Sequence, residues 1–82
     1  MEVDKSSLIV SKAGRDKTRT LAVLAVDGSM LLVADGDLRK LDNPKRKKIQ
    51  HVAPTTTVLE NELLKSDQQL RDAIRAYDAA QN

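Results

Sequence analysis

RTLAVLAVDGSMLLVADG, residues 19–36, is the stretch that decides the fold class. Its two apolar segments, RTLAVLAV and SMLLVA, have the length and the branched aliphatic residues that are typical of strands. Asp27-Gly28 separates them, and an Asp-Gly pair between two such segments is a strong signal for a two-residue hairpin turn. The stretch therefore predicts antiparallel strands at 19–26 and 29–34, with a second Asp-Gly turn at its end.

Further strand signals lie on both sides of this hairpin. SLIVSK at 7–12 predicts a first strand, DLRKL at 37–41 a short fourth strand, and RKKIQHV at 46–52 the last strand. Asn-Pro at 43–44 separates the last two, because proline breaks strand pairing. Short strands with regular turn signals are typical of a small antiparallel barrel or sandwich.

The central strands are apolar on both faces. Leu21 and Val23 share one face of a strand, whereas Leu24 and Val26 lie on the other. A strand with two apolar faces is usually covered on both sides. One face would then fill a barrel and the other would lie under a helix. A β-bulge that reverses the alternation is the competing explanation.

The chain changes character after Pro54. The TTT run favours an extended chain, residues 58–64 suggest a short helical turn, and Ser66 opens a clear helix. Ser66 and Gln69 have the spacing of a capping box. The helix carries one apolar stripe at helical spacing. Its members are Leu70, Ala73, Ile74 and Tyr77.

We therefore predict a mainly β fold, a small antiparallel barrel with a C-terminal α-helix packed on it. The barrel spans 1–53, and 54–82 form an extended linker and the amphipathic helix of the same domain. No apolar run approaches the roughly 20 residues of a membrane span. The N-terminal segment MEVDKSS lacks the apolar stretch of a signal peptide. We expect a cytoplasmic protein.

The residue inventory offers little chemistry. The 82 residues contain no cysteine, which excludes disulfides, thiolate metal sites and Cys/His nucleophilic pairs. His51 is the only histidine, and we expect it on the last strand, where it hydrogen-bonds or touches a partner. Asp27, Asp35 and Asp37 lack the spacing of a calcium loop and are explained by turns. We expect no enzyme, no cofactor, no metal site and no small-molecule substrate.

Basic charge is concentrated in two short segments. Residues 12–19 carry four cations against Asp16, a net charge of +3, and residues 39–48 carry six against Asp42, a net charge of +5. Because the whole chain has a net charge of +2, the remainder carries −6. This asymmetry suggests a surface that binds a polyanion. Two solvated basic loops are the alternative.

The near absence of aromatic residues limits how a nucleic acid would be read. Tyr77 is the sole aromatic residue, and its place on the helix stripe points to packing. Modules that read single-stranded RNA stack bases on aromatic side chains. Without such a platform, recognition would depend on phosphate contacts and shape, for which folded RNA is the natural target.

Residues 7–52 resemble the KOW motif of a ribosomal-type RNA-binding family, through SKAGRDK, VADGDLRKL and PKRKKIQHV in that order. They look like short stand-alone bacterial KOW-domain proteins and, more distantly, eukaryotic-type large-subunit ribosomal proteins. The tail LLKSDQQLRDAIRAY is similar to tails of the bacterial members. The resemblance implies an SH3-like barrel, a loop with an important glycine, and RNA as the partner.

Carried onto this chain, the resemblance makes Gly14 the loop glycine. The implied RNA-binding residues are Lys12, Gly14, Arg15, Lys17, Arg19, Arg39, Lys40, Lys45, Arg46, Lys47 and Lys48. Two positions depart from the family pattern, since Thr18 and Ser7 stand where members often have glycine. Thr18 suggests that the loop needs no positive φ there.

The loop residues have physical roles that do not depend on the family name. Gly14 can adopt a positive φ and allows close backbone approach. Arg15 offers a planar fork for phosphate, and Lys17 a mobile point charge. Asp16 is expected to bond to nearby loop amides, or to pair with Arg15 or Lys17.

The leading hypothesis is a non-catalytic RNA-binding protein that docks on structured RNA. The expected partners are ribosomal RNA or the ribosome, including ribosomal proteins. A protein-interaction adaptor of the transcription or translation machinery, using the barrel and the helix, is the alternative. An exposed helix stripe would favour the adaptor and a buried one the RNA-binding module. Duplex DNA is a third possible partner, because the same charge permits it.

Overall fold

Five antiparallel strands and a C-terminal helix make up the fold of residues 3–81, the part of the chain that the computed structural model describes. The elements in chain order are β1 (Ser7–Ser11), β2 (Thr20–Asp27), β3 (Met30–Ala34), β4 (Lys45–Lys48), a first 3-10 helix (Ile49–His51), β5 (Val52–Val58), a second 3-10 helix (Asn61–Leu64) and α1 (Asp67–Ala80). They form one sheet in the order β4-β3-β2-β1-β5, which is not closed on itself. The mainly β class with a C-terminal helix is confirmed.

The strands predicted at 7–12, 19–26 and 29–34 are confirmed as β1, β2 and β3, with shifts of one residue. The strand predicted at 37–41 is wrong, because residues 37–39 form bends and Leu41 lies in a turn. The backbone N–H groups of Asp37 and Arg39 each donate to Asp35 Oδ1 at 2.9 Å. A side chain thus supplies acceptors for donors that a strand would use for pairing.

The single strand predicted at 46–52 is in fact two strands with a turn of 3-10 helix between them. β4 ends at Lys48, and His51 lies in the first 3-10 helix rather than on a strand. β5 then pairs with β1 at the other edge of the sheet, with Ile9 opposite Pro54 and Ser7 opposite Val58. Residues 54–58, expected as a linker, are extended as predicted but belong to the sheet. Proline is tolerated there because an edge strand has one unpaired side.

Strand β2 is covered on both faces, and it also contains a bulge. Val23 lies opposite Val33 and faces the first core, whereas Ala22 lies opposite Ala34 and faces the second. A register shift between Val23 and Ala25 marks a bulge in the pairing with β3. The bulge reverses the alternation, so that Val26 lies opposite Leu31 of the first core.

Two apolar clusters cover the two faces of the sheet. The buried members of the first are Val3, Ile9, Leu21, Val23, Leu31, Val33 and Val52, with Ile49 packed against them. Those of the second are Leu8, Ala22, Ala34, Leu70 and Ile74, with Leu24, Leu41, Leu59, Leu64 and Tyr77 packed against them. The stripe of α1 therefore lies on the sheet, and Tyr77 has the packing role that was expected.

Helix α1 is anchored near both ends. Ser66 is the N-cap, and its Oγ accepts a hydrogen bond from the backbone N–H of Gln69 at 3.4 Å. Near the other end, Thr20 Oγ1 donates to Asp78 Oδ1 at 2.6 Å. Since Leu70 and Ile74 are buried between these points, the helix is a structural layer of the domain. No helix within residues 3–81 has the length and apolar character to cross a membrane.

Asp35 and Gly36 form the start of a packed loop rather than a hairpin turn. Gly36 has a φ of +75°, and its Cα faces the first turn of α1. A Cβ at this position would overlap the backbone oxygen of Asp67 and lie 3.0 Å from the backbone nitrogen of Arg71. Asp67 also accepts the N–H of Leu41 through Oδ1 at 2.8 Å. Glycine is therefore required for the loop to contact the helix.

We expect Gly36→Ala to lower the free energy of unfolding by clearly more than Gly28→Ala, measured by urea denaturation. Both glycines have a positive φ, for which an alanine costs about 1–2 kcal/mol. Only Gly36 adds a backbone clash, because nothing lies within 4 Å of a Cβ at Gly28. Overpacking of this kind costs a further ~1–3 kcal/mol. Equal losses in the two variants would contradict the contact between loop and helix.

Candidate nucleic-acid interface

The loop of residues 12–18 lies against β4, so the two predicted basic segments meet. Lys45 Nζ is 2.7 Å from Asp16 Oδ2. Lys47 Nζ donates to the backbone oxygen of Ala13 at 3.2 Å and lies 3.5 Å from Asp16 Oδ2. We call residues 12–17 together with 45–48 the basic surface. It holds seven cations and one carboxylate, a net charge of +6.

Asp16 has a different partner from the one expected. Its carboxylate pairs with Lys45 and Lys47 of β4, so the predicted pairing with Arg15, Lys17 or loop amides is wrong. Its backbone oxygen accepts the N–H of Arg19 at 2.8 Å. The hydrogen bond from Lys45 holds the pKa of Asp16 below its ordinary value, and it outweighs the opposing effect of partial burial. Asp16 therefore joins the loop to the sheet as an anion.

Strand β4 divides its four cations between two faces. Lys45 and Lys47 lie opposite Val33 and Leu31, on the side of the first core. Lys47 is buried, with 7% of its side chain exposed. Arg46 and Lys48 alternate onto the other face and are exposed. The two inward lysines hold the loop, and the two outward cations are available to a partner.

Five cations of the basic surface are exposed and form no ion pair within residues 3–81. They are Lys12, Arg15, Lys17, Arg46 and Lys48. No carboxylate within residues 3–81 forms an ion pair with them. Fewer cations of the basic surface are therefore open to a polyanion than the sequence suggested. Three of them belong to the loop and two to β4, and the ion pair between Asp16 and Lys45 lies between the two groups.

Arg19 and Arg39 contact Asp35, and Lys40 lies in the loop that follows Asp35. Arg19 Nη2 is 2.9 Å from Asp35 Oδ2, and the Arg39 side chain donates to the backbone oxygen of Asn43 at 3.5 Å. Lys40 is exposed. The side-chain contacts of Arg19 and Arg39 are thus with the loop of residues 35–43 and not with the basic surface. Arg19 and Arg39 help to hold that loop.

Asp35 is a buried anion, with 4% of its side chain exposed. Burial opposes ionisation, but the backbone N–H groups of Arg39 and Asp37 and the guanidinium of Arg19 outweigh it. The pKa of Asp35 consequently lies below its ordinary value. Nothing in the sequence distinguished this aspartate from the turn residue Asp27, which is exposed.

The backbone at Thr18 contradicts the expectation drawn from the missing glycine. Thr18 has a φ of +73°, close to the +78° of Gly14. Its N–H donates to the backbone oxygen of Ser11 at 2.8 Å, which closes the base of the loop. A β-branched residue is a strong outlier in this region. The loop therefore keeps the left-handed conformation in spite of the threonine.

A cleft of about 390 Å³ opens where the loop meets β4. Its lining residues are Ala13, Gly14, Met30, Lys45, Arg46, Lys47, Lys48 and His51. His51 is half-buried, and its backbone oxygen accepts the N–H of Lys12 at 2.8 Å. Ala13 and Met30 were not predicted as site residues. Met30 lies opposite Lys48, a relation that becomes visible only once the β3–β4 register is known.

No arrangement for metal chemistry is present in the described part of the chain, since residues 3–81 contain no group of three or more His, Cys, Asp or Glu side chains that could hold an ion. No family model and no curated protein matches this chain. The geometry of the site is that of a cationic surface with a shallow cleft.

We expect Thr18→Gly to stabilise the protein, because it relieves a left-handed β-branched residue that costs about 1–2 kcal/mol. The greater flexibility of glycine in the unfolded chain offsets part of this gain, by roughly 0.5–1 kcal/mol. Thr18→Asn should also stabilise, since asparagine tolerates the conformation. Urea denaturation measures both changes. A clear loss of stability in both variants would show that Thr18 makes a compensating contact.

The two lowered aspartate pKa values predict a loss of stability in acid. The unfolded chain takes up these protons near the ordinary value of 3.8, whereas the folded protein does so only at lower pH. The contribution is therefore complete above this value and is lost as the pH falls from it through the lower pKa of each aspartate in the folded protein. Asp35→Asn should flatten the fall in the free energy of unfolding below about pH 5.

The exposed Asp42 supplies the control for this measurement. It has no ion pair within residues 3–81, and Asp42→Asn should leave the acid dependence as it is in the unmodified protein. An equal flattening in the two variants would contradict the special role of Asp35.

Proposed function

We propose that this protein is a non-catalytic RNA-binding protein that docks on structured RNA, with ribosomal RNA as the first candidate. The observation that carries the proposal is the meeting of two separate basic segments at the edge strand β4, with five exposed cations that form no ion pair within residues 3–81. A polyanion that contacts this surface gains several phosphate interactions at once and releases its counterions.

The types of side chain on the basic surface suit phosphate rather than base recognition. Arg15 and Arg46 offer planar forks for phosphate oxygens, and the exposed lysines add mobile point charges. The sole aromatic residue, Tyr77, packs in the second core and does not supply a stacking platform. Recognition therefore rests on the spacing of phosphates, which is a property of folded RNA.

The structure refines the set of residues that we propose as RNA contacts. Lys45, Lys47 and Arg19 have partners inside the protein and help to hold the loops. The exposed Lys40 remains a candidate contact outside the basic surface. We assign direct phosphate contact to the five exposed cations of the basic surface.

We further propose that the fold is the SH3-like barrel of a KOW domain. The antiparallel order of five short strands supports this assignment, as does the position of the loop that contains Gly14 between β1 and β2. The edges β4 and β5 are joined by only three residues of 3-10 helix. These are the strands that closure of a barrel would bring together.

The adaptor hypothesis would be favoured by an exposed stripe on α1, and the stripe is not exposed. Leu70 is fully buried and Ile74 nearly so, both against the sheet. By the criterion set from the sequence, a buried stripe favours the RNA-binding module. We propose ribosomal proteins as its neighbours in a ribosome-bound state in the cytoplasm.

A salt titration of RNA binding tests the proposal. Contacts to about five phosphates should give a slope near −4 in a plot of log affinity against log salt concentration. Ribosomal RNA should compete better than duplex DNA of the same length, since shape contributes to recognition. Absence of binding at low salt, or a flat salt response, would end the proposal, and equal competition would favour simple polyanion binding.

The triple variant Lys17→Gln, Arg46→Gln, Lys48→Gln should weaken RNA binding strongly and reduce the slope by about 2. Its matched control is Lys5→Gln, Lys65→Gln, Arg75→Gln. Both variants change two lysines and one arginine, all exposed, and both lower the net charge from +2 to −1. We expect the control to bind nearly as well as the unmodified protein. Equal losses in the two variants would show that overall charge, not the basic surface, carries binding.

A further inference from the structure

The cleft between the loop and β4 contains a buried ammonium group directly beneath a glycine. A Cβ built on Gly14 would lie 3.8 Å from Lys47 Nζ. Gly14 is exposed, whereas only 7% of the Lys47 side chain is. Because glycine has no side chain, Gly14 places no atom beyond its backbone over this ammonium group.

The Lys47 ammonium has one hydrogen bond left to make. An ammonium has three donors, and within residues 3–81 the acceptors found for Lys47 are Ala13 O at 3.2 Å and Asp16 Oδ2 at 3.5 Å. Asp16 makes its shorter contact, 2.7 Å, with Lys45. The charge of Lys47 is therefore only partly neutralised, although the group is held in one position.

We propose that this position is a phosphate subsite, in which a phosphate oxygen sits above Gly14 and accepts the third hydrogen bond of Lys47. Arg46 and Lys48 line the same cleft and bring further positive charge to the anion. Fixed donors with little remaining solvation bind an anion better than mobile surface lysines do, because less side-chain entropy is lost. The subsite deepens the proposed function, on which it rests, by naming where one RNA phosphate is bound.

The geometry explains why glycine is needed at position 14 for two separate reasons. Its φ of +78° favours glycine, and any side chain there would fill the space above the Lys47 ammonium. Asparagine tolerates this backbone conformation, but its side chain would fill the space above the Lys47 ammonium. Gly14→Asn thus separates backbone strain from loss of the subsite.

The test compares Gly14→Ala and Gly14→Asn with Gly28→Ala, which changes a glycine of similar φ that does not line the cleft. The Gly14 variants should fold, since 3.8 Å is an ordinary contact distance. We expect both to bind structured RNA about tenfold more weakly than Gly28→Ala, as for loss of a hydrogen bond to a charged group. Their salt slope should be shallower by about 0.7–0.9.

A titration with inorganic phosphate, followed by ¹⁵N–¹H NMR, examines the subsite without RNA. Phosphate should shift the signals of Gly14 and Lys47 more than those of the exposed Lys5 and Lys65. The Lys47 shift should disappear in Gly14→Asn. Equal RNA affinity in the Gly14 and Gly28 variants, or a Lys47 shift that survives Gly14→Asn, would overturn the subsite.

The RNA-binding comparison and the phosphate titration together show whether the subsite alone is wrong or whether the proposed function is wrong. If the unmodified protein binds no structured RNA, the proposed function fails, and the phosphate titration alone decides whether Lys47 binds an anion through the space above Gly14. If RNA binds but the Gly14 variants match Gly28→Ala, the subsite is wrong while the basic surface stands.

Discussion

Asp35 stands at the end of β3 with its carboxylate almost fully buried, and it accepts hydrogen bonds from three donors. One of them, Arg19, ties the end of the first loop to β3. The other two, Asp37 and Arg39, turn the following loop towards α1, where Gly36 meets the first helical turn. A buried anion that lost one of these partners would be left poorly compensated, which is costly. The loop, the sheet and the helix are therefore coupled through this one carboxylate.

The same chemistry appears a second time at Asp16, but with a different consequence. Asp35 is enclosed, whereas Asp16 lies among cations of which several face solvent. The pair with Lys45 removes little of the charge of the basic surface and fixes the loop to β4. In a partly exposed position the ion pair contributes little to stability. Its main effect is on geometry, because it sets the distance between the exposed cations of the loop and those of the strand.

Short sequence patterns were sufficient to predict β1, β2, β3 and α1. Asp-Gly turns and the spacing of apolar residues depend only on residues that are close together in the sequence. These patterns failed at 37–41, where the alternation of apolar and polar residues is acceptable for a strand. Two backbone N–H groups of this segment donate instead to the buried carboxylate of Asp35, which lies outside it. The patterns failed at Thr18 because loop closure by the Ser11 carbonyl, not the residue type, sets φ. The approach of the two basic segments was anticipated, whereas the burial of Lys47 was not, since it depends on the register that places it opposite Leu31.

The loop of residues 12–18 is held by its own backbone as well as by β4, and this bears on how it would bind an anion. Ser11 Oγ donates to Ala13 O at 3.0 Å, and the N–H of Lys17 donates to Gly14 O at 3.2 Å. A loop fixed at its base, middle and tip loses little backbone entropy when a partner docks. Only the long side chains then need to be ordered, at roughly 0.5–1.5 kcal/mol each. The strained conformation at Thr18 is consistent with this, because closure of the loop over β4 compensates for the cost of a left-handed threonine.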